Sequence, residues 1–195
     1  PVNSSLSAKF RKELKSDLVL AKIARWDPDK RWNMAIEATA RLKARGLHTT
    51  LIARGGKESY GAEILYNARS LGLRIKDIFT GGETIEDQLK AIVSGSEGAD
   101  FLNLHFYCPQ ELLRLIYHAS SGILANSGRE PFGLVGLETM AAGGIAYTGC
   151  TGEDYAIPFY NSIVLETSDP KEIESYVMYL KSHPEEDERI RQAGR

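Results

Sequence analysis

Short apolar runs alternate with longer stretches of helical spacing along this chain, and that alternation constrains the fold more than any other feature. LVLAKIA (18–24), HTTLIAR (48–54), RIKDIFT (74–80), ADFLNLHF (99–106), GILAN (122–126), IAYTG (145–149) and NSIVLE (161–166) read as strands. Between them KRWNMAIEATARLKARG (30–46), SYGAEILYNARSLG (59–72), ETIEDQLKAIVSG (83–95), PQELLRLIYHAS (109–120) and LVGLETMAAGG (134–144) read as helices, and helices near 170–182 and 184–194 close the chain. Gly46 and Gly72 suit helix ends, and Pro109 suits a helix start. Strands apolar along nearly their whole length are buried on both faces, which requires a parallel sheet with helices on each side. The expected fold is therefore α/β, a doubly wound parallel sheet. In such sheets ligands bind at the carboxyl ends of the strands, where the strand order reverses. The loops 25–31, 54–60, 106–109, 126–133 and 149–155 are then where the chemistry should lie.

Bulk properties narrow the function. A chain of 195 residues is long enough for one sizeable core, and nothing in it reads as a linker or a repeat, so 1–195 is expected to be one domain. A net charge of −2 gives no global field toward nucleic acid or an anionic membrane. The two cysteines, Cys108 and Cys150, make neither a disulfide framework nor a zinc spacing, which fits a reducing compartment. No apolar run approaches the roughly 18 residues of a membrane span, and PVNSSLSAKFRKEL lacks the apolar core of a signal peptide. The first residue is not Met, and ERIRQAGR stops within what reads as a helix, so both ends look like cuts in a longer chain. RWDPDKRW follows the first strand without the G-x-G-x-x-G of a dinucleotide fold, GGKES fails the phosphate-loop spacing, and no G-x-S-x-G elbow occurs.

The richest stretch is REPFGLVGLETMAAGG (129–144). Pro131 pushes Glu130 out of helical backbone, so Glu130 belongs to the loop at the end of a strand. Gly133 stands just ahead of the helix that carries Glu138. The amides of Gly133, Leu134 and Val135 face outward at the helix start, where they and the helix dipole favour an anion. Gly133 leaves room for a phosphate to approach. The plainer alternative is a capped helix with two solvated acids. A second element, ARWDPDKRW, places Arg25 and Lys30 around a turn at the same sheet edge, where they can neutralise a diphosphate or pair with Asp27 and Asp29 instead. Asp27-Pro28-Asp29 fits a turn better than a metal-binding triplet, and no metal site is expected.

Together these elements resemble the C-terminal, donor-binding half of a GT-B glycosyltransferase of the large retaining family 4, or group 1. That family's pattern is a strand, an Arg, four residues and a Lys, then much later E-P-F-G-L-x-x-x-E-A-M-A-x-G. Arg25, Lys30 and EPFGLVGLETMAAGG match it, with Thr139 where Ala is usual. CTGEDY (150–155) resembles the family's G-G-x-x-E segment with one glycine in place of two, and Ser162 replaces a usual Gly in PFYNSIVLETSDPKEI. The resemblance implies a Rossmann-like domain in which Arg25 and Lys30 hold the donor diphosphate. It implies that the amides near Gly133, Leu134 and Val135 bind phosphate and sugar, that Glu130 contacts the transferred sugar, and that Glu138 contacts the ribose. A carboxylate that only accepts hydrogen bonds suits a vicinal diol. The loop HFYC (105–108) is where family members meet the base, which makes Tyr107 or Phe106 a candidate there, unless either is core.

The implied reaction moves a sugar from a UDP-, GDP- or ADP-linked donor to an acceptor hydroxyl with retention, on one face, without a cofactor. The acceptor, a sugar, lipid or small molecule, is expected to sit on an N-terminal domain outside this chain, so the isolated chain is expected to be nearly inactive. The implied location is cytoplasmic, with any contact to the inner membrane surface made through that other half. Two other readings stay open: a non-catalytic module that recognises nucleotide sugars, and another GT-B enzyme such as a sugar-nucleotide epimerase.

Overall fold

The computed structural model describes residues 2–130, 132–150, 152 and 154–195. Among them, one sheet contains β1 (Leu18–Ile23), β2 (Thr49–Arg54), β3 (Ile75–Ile78), β4 (Phe101–Leu104), β5 (Gly122–Ala125), β6 (Ala146–Thr148) and β7 (Ile163–Val164). The helices are α1 (Ser4–Glu13), α2 (Trp32–Ala44), α3 (Tyr60–Ser70), α4 (Ile85–Ser96), α5 (Gln110–Ala119), α6 (Leu134–Ala141), α7 (Pro170–Ser182) and α8 (Pro184–Gly194). The strand order is β3-β4-β2-β1-β5-β6-β7, and every strand pair is parallel.

The two-residue period of β1 divides the core. Leu18 and Leu20 pack with Leu51, Ala53, Phe101 and Leu124 beneath α2, α3, α7 and α8. Val19 and Ala21 point the other way, to Ile52, Leu102 and Ile123 beneath α1, α4 and α5. Both faces of the central strands are thus covered, as the apolar runs required. The chain lays β2 and then β4 outward from β1, with β3 at the edge, and crosses back to place β5 on the other flank of β1. The reversal opens a crevice at the carboxyl ends of β1 and β5, which pair only at Leu20–Gly122 and Ala21–Ile123.

Two differences from the sequence reading have physical causes. The edge strands are shorter than the apolar runs: β3 covers 75–78 and β7 only 163–164. Each has one neighbour, so its ends lack ladder partners. The helix α1 was not expected at all. Asn3 caps it by accepting the Leu6 amide proton at 3.0 Å, and its buried side chains are few, which left little periodicity to read. Phe10 nevertheless sinks among Val19, Leu112 and Leu115 to 2% exposure. Phe10→Ala should therefore lower the unfolding free energy by about 3–5 kcal/mol in a denaturant titration; an unchanged midpoint would show that α1 does not dock.

Candidate functional site

The loop after β1 is braced by two indoles. Trp26 packs on Trp32 with ring centroids 4.2 Å apart, and the Trp32 indole N–H donates to the Arg25 carbonyl at 2.8 Å. The Trp26 amide donates to Glu58 at 3.0 Å. Pro28–Lys30 forms a single 3-10 turn, capped by Asp27, which accepts the Asp29 amide proton at 2.9 Å. Asp27-Pro28-Asp29 is thus a turn, and among the described residues no group of three or more His, Cys, Asp or Glu is placed to hold a metal. The Gly128 amide donates to the Asp29 carbonyl at 2.7 Å, which ties this turn to the loop after β5.

That tie brings the charged groups together. Lys30 Nζ lies 3.1 Å from Glu130 Oε2. Neither Arg25 nor Lys30 makes an ion pair with Asp27 or Asp29 among the described residues. Glu130 precedes α6 and is outside the helix; the expected role of Pro131 falls on a residue outside those described. Gly133 caps α6 with φ 76°, a left-handed conformation that an L side chain resists. The Tyr155 hydroxyl donates to the Gly133 carbonyl, and burial together with the nearby Glu130 raises the pKa of that phenol. The first amides of α6 have no intrahelical partner, so the helix start offers donors beside Glu130.

A cleft of about 200 Å³ opens between the ends of β1 and β5, lined by Lys22, Arg25, Lys30, Ser127, Glu130 and Gly133. Val135 also lines it, while Leu134 is 60% exposed. Arg25, Lys30, Glu130, Gly133 and Val135 are therefore one constellation. Glu138 is not part of this cleft. It sits farther along α6, accepts the Tyr117 hydroxyl proton at 3.5 Å, and lines a second depression with Gln110 and Arg114. Tyr107 lines a third, with Trp26, Arg54 and His105. It is 75% exposed, so it is not core. Thr139, at the usual Ala position, buries its hydroxyl by donating to the Val135 carbonyl at 2.7 Å. Ser162 is buried, and its hydroxyl has no hydrogen-bond partner among the described residues. Within CTGEDY, Thr151 and Glu153 lie outside the described residues.

Lys22 was missed by the sequence reading. It is 1% exposed on β1, yet Nζ donates to the Leu124 carbonyl at 2.9 Å and to Asn126 Oδ1 at 2.6 Å. Burial pulls its pKa down to about 7; Lys30 and Arg31 push the same way and Glu130 opposes them. The signal was present as the lone charge inside an apolar run, because a buried lysine needs partners.

Comparison with known proteins places the chain. The family described as glycosyl transferases group 1 matches residues 6–195. No curated protein matches the sequence. Among solved structures, the C-terminal domain of a glycosyl transferase group 1 family protein, LpcC, from Francisella tularensis is similar at TM-score 0.67 and 18% identity, covering 91% of this chain and 82% of that one. HepE from Anabaena, in complex with UDP-glucose, is similar at TM-score 0.73 and 17% identity, over 99% of this chain and 47% of that one. Sucrose-phosphate synthase from Thermosynechococcus elongatus is similar at TM-score 0.68 and 18% identity, over 99% and 43%. At such identities the likeness shows the fold alone. The chain spans less than half the length of the last two proteins. The left-handed backbone at the helix start makes its own prediction: Gly133→Ala should cost about 1–2 kcal/mol of stability in urea, and no loss would contradict the cap geometry.

Proposed function

The chain belongs to the group 1 glycosyl transferases, and we propose that it is the donor-binding, C-terminal domain of a retaining enzyme that transfers a sugar from a nucleotide diphosphate sugar to an acceptor hydroxyl. The observation that carries this reading is the convergence of Arg25, Lys30, Glu130 and the start of α6 on one cleft at the β1–β5 reversal.

The Lys30–Glu130 pair is partly exposed, with 15% and 34% of the two side chains accessible, and such pairs are worth at most about 1 kcal/mol. A diphosphate is a stronger partner for Lys30. On binding it takes the ammonium, with Arg25 beside it, and the amides of Leu134 and Val135 donate to it. Glu130 is released to accept from a hydroxyl of the transferred sugar. Glu138 reaches the ribose from the neighbouring depression, and Tyr107 flanks the base. In the reaction the bond from the anomeric carbon to the phosphate oxygen breaks on the face where the acceptor oxygen attacks. The acceptor proton passes to the departing phosphate. The chain's own contribution is positioning and stabilisation of the charge that develops on the leaving group, with no metal and no cofactor.

The acceptor is assigned to an N-terminal domain beyond this chain, so turnover by the chain alone should be far below that of complete enzymes. Both cysteines are free thiols, which supports the cytoplasm as its compartment. No helix of the described residues is long and apolar enough to cross a membrane. HepE supports the donor class, since its structure holds UDP-glucose. Calorimetric titration with UDP-glucose, GDP-mannose and ADP-glucose tests the reading. At least one should bind, and Lys30→Ala and Glu138→Ala should each weaken it about tenfold, a loss of ~1.4 kcal/mol. Binding by none of the three would contradict it.

A further inference from the structure

Lys22 has no part in the roles assigned above, yet it lines the same cleft. Its place in the sheet is unusual. Beyond Ala21 the ladder between β1 and β5 ends, and there the Lys22 side chain spans the two strands through the Leu124 carbonyl and Asn126 Oδ1. Both acceptors lie on the path that leads to Glu130. Asn126 is itself fully buried and is braced on its other side by Met34, whose sulfur accepts from Nδ2 at 3.4 Å. Lys22 therefore fastens the root of the loop that carries Glu130.

The charges around it are unbalanced. The turn after β1 brings Lys30 and Arg31, the loop after β5 brings Glu130, and Arg25 lines the same cleft. The start of α2 presents no further charge: the Trp32 ring, with its centroid 5.4 Å from Nζ, and the thioether of Met34. The start of α6 contributes Gly133 and Val135. Burial sets the main cost of a charge here, and among the described residues Lys30 and Arg31 add to that cost while Glu130 opposes them. With a pKa near 7, the side chain is divided between amine and ammonium at neutral pH. A neutral amine keeps two N–H donors for its two acceptors, so the link survives, but its hydrogen bonds are no longer charge-assisted.

We propose that Lys22 is a positioning residue for donor binding: it anchors the Glu130 loop through Leu124 and Asn126, and it takes up a proton from solvent when a sugar-nucleotide diphosphate enters the cleft. This rests on the reading of the cleft as the donor diphosphate site. The entering diphosphate offsets the charges of Lys30 and Arg25 and adds negative charge of its own, so the bound state favours the ammonium. Binding raises the pKa of Lys22, so the added affinity is complete below the free value and is lost as pH rises through the bound value. Each link closes the other: the charged lysine tightens the loop that presents Glu130, and the donor stabilises the charged lysine.

The test is calorimetry with UDP-glucose, GDP-mannose and ADP-glucose in buffers of different protonation enthalpy. The diphosphates of these compounds stay fully ionised around neutrality, so the ligand supplies no proton. At about pH 8, one unit above the free value, uptake should approach ~0.9 proton per donor bound, and affinity should be about fivefold weaker than at pH 7. Lys22→Met and Lys22→Arg should both abolish the buffer dependence, the arginine because it stays charged throughout. Should neither variant fold, the carbon-13 signal of Lys22 Cε in the unaltered protein gives the same answer: its titration midpoint should rise by more than one unit when donor is added. Donor binding without proton uptake, an unmoved midpoint, or uptake that persists in the variants overturns the proposal and leaves the donor site standing. Failure of all three nucleotide sugars to bind overturns both.

Discussion

Strand β1 has no face left to water. With α2 and α7 over one side and α1 and α5 over the other, its amides and carbonyls must be satisfied within the sheet. Parallel neighbours on both flanks do this, and each connection from β1 through to β6 crosses over a helical layer before the next strand begins. The loops after the strands then gather at one edge. The chain reverses direction of growth beside β1, so the loops after β1 and β5 diverge and leave a crevice between them. Arg25, Lys30 and Glu130 meet because of that geometry, although about a hundred residues separate the first two from the third.

Within the crevice, charge is arranged rather than neutralised. The partly exposed partners Lys30 and Glu130 form a pair weak enough to be exchanged, while the buried Lys22 is held by two fixed acceptors. The two kinds of lysine differ in what surrounds them. The outer one is partly exposed beside a partly exposed carboxylate; the inner one has lost its hydration and keeps its charge only as far as its neighbours allow. The left-handed Gly133 lets the backbone turn directly from the Glu130 loop into α6, so the helix start opens beside the cations and not behind a side chain.

Much of this was legible in the sequence. The apolar runs located every strand of the described sheet; in the central strands burial on both faces writes itself as continuous hydrophobicity, while the edge strand β3 exposes Lys76 and Asp77. The convergence of Arg25, Lys30, Glu130 and Gly133 on one cleft was legible because they stand at strand ends and a helix start along the same sheet edge. The helix α1 was not, since Asn3, Phe10 and a few small residues suffice to dock it and make almost no periodic signal. Lys22 was hidden for the opposite reason: it sits inside a strong strand pattern that absorbs a single exception. The separation of Glu138 and Tyr107 from the main cleft depends on side-chain direction across α6 and on the loop after β4, which spacing alone does not encode.

The central claim is that a nucleotide sugar lies across the carboxyl ends of β1 and β5, with its diphosphate at the start of α6. Backbone amide NMR during titration with UDP-glucose, GDP-mannose or ADP-glucose reads the location directly. The account predicts saturable shifts concentrated at residues 24–31 and 126–136, with smaller ones near Glu138 and Tyr107. Shifts confined to the opposite edge of the sheet, or to α7 and α8, would contradict it.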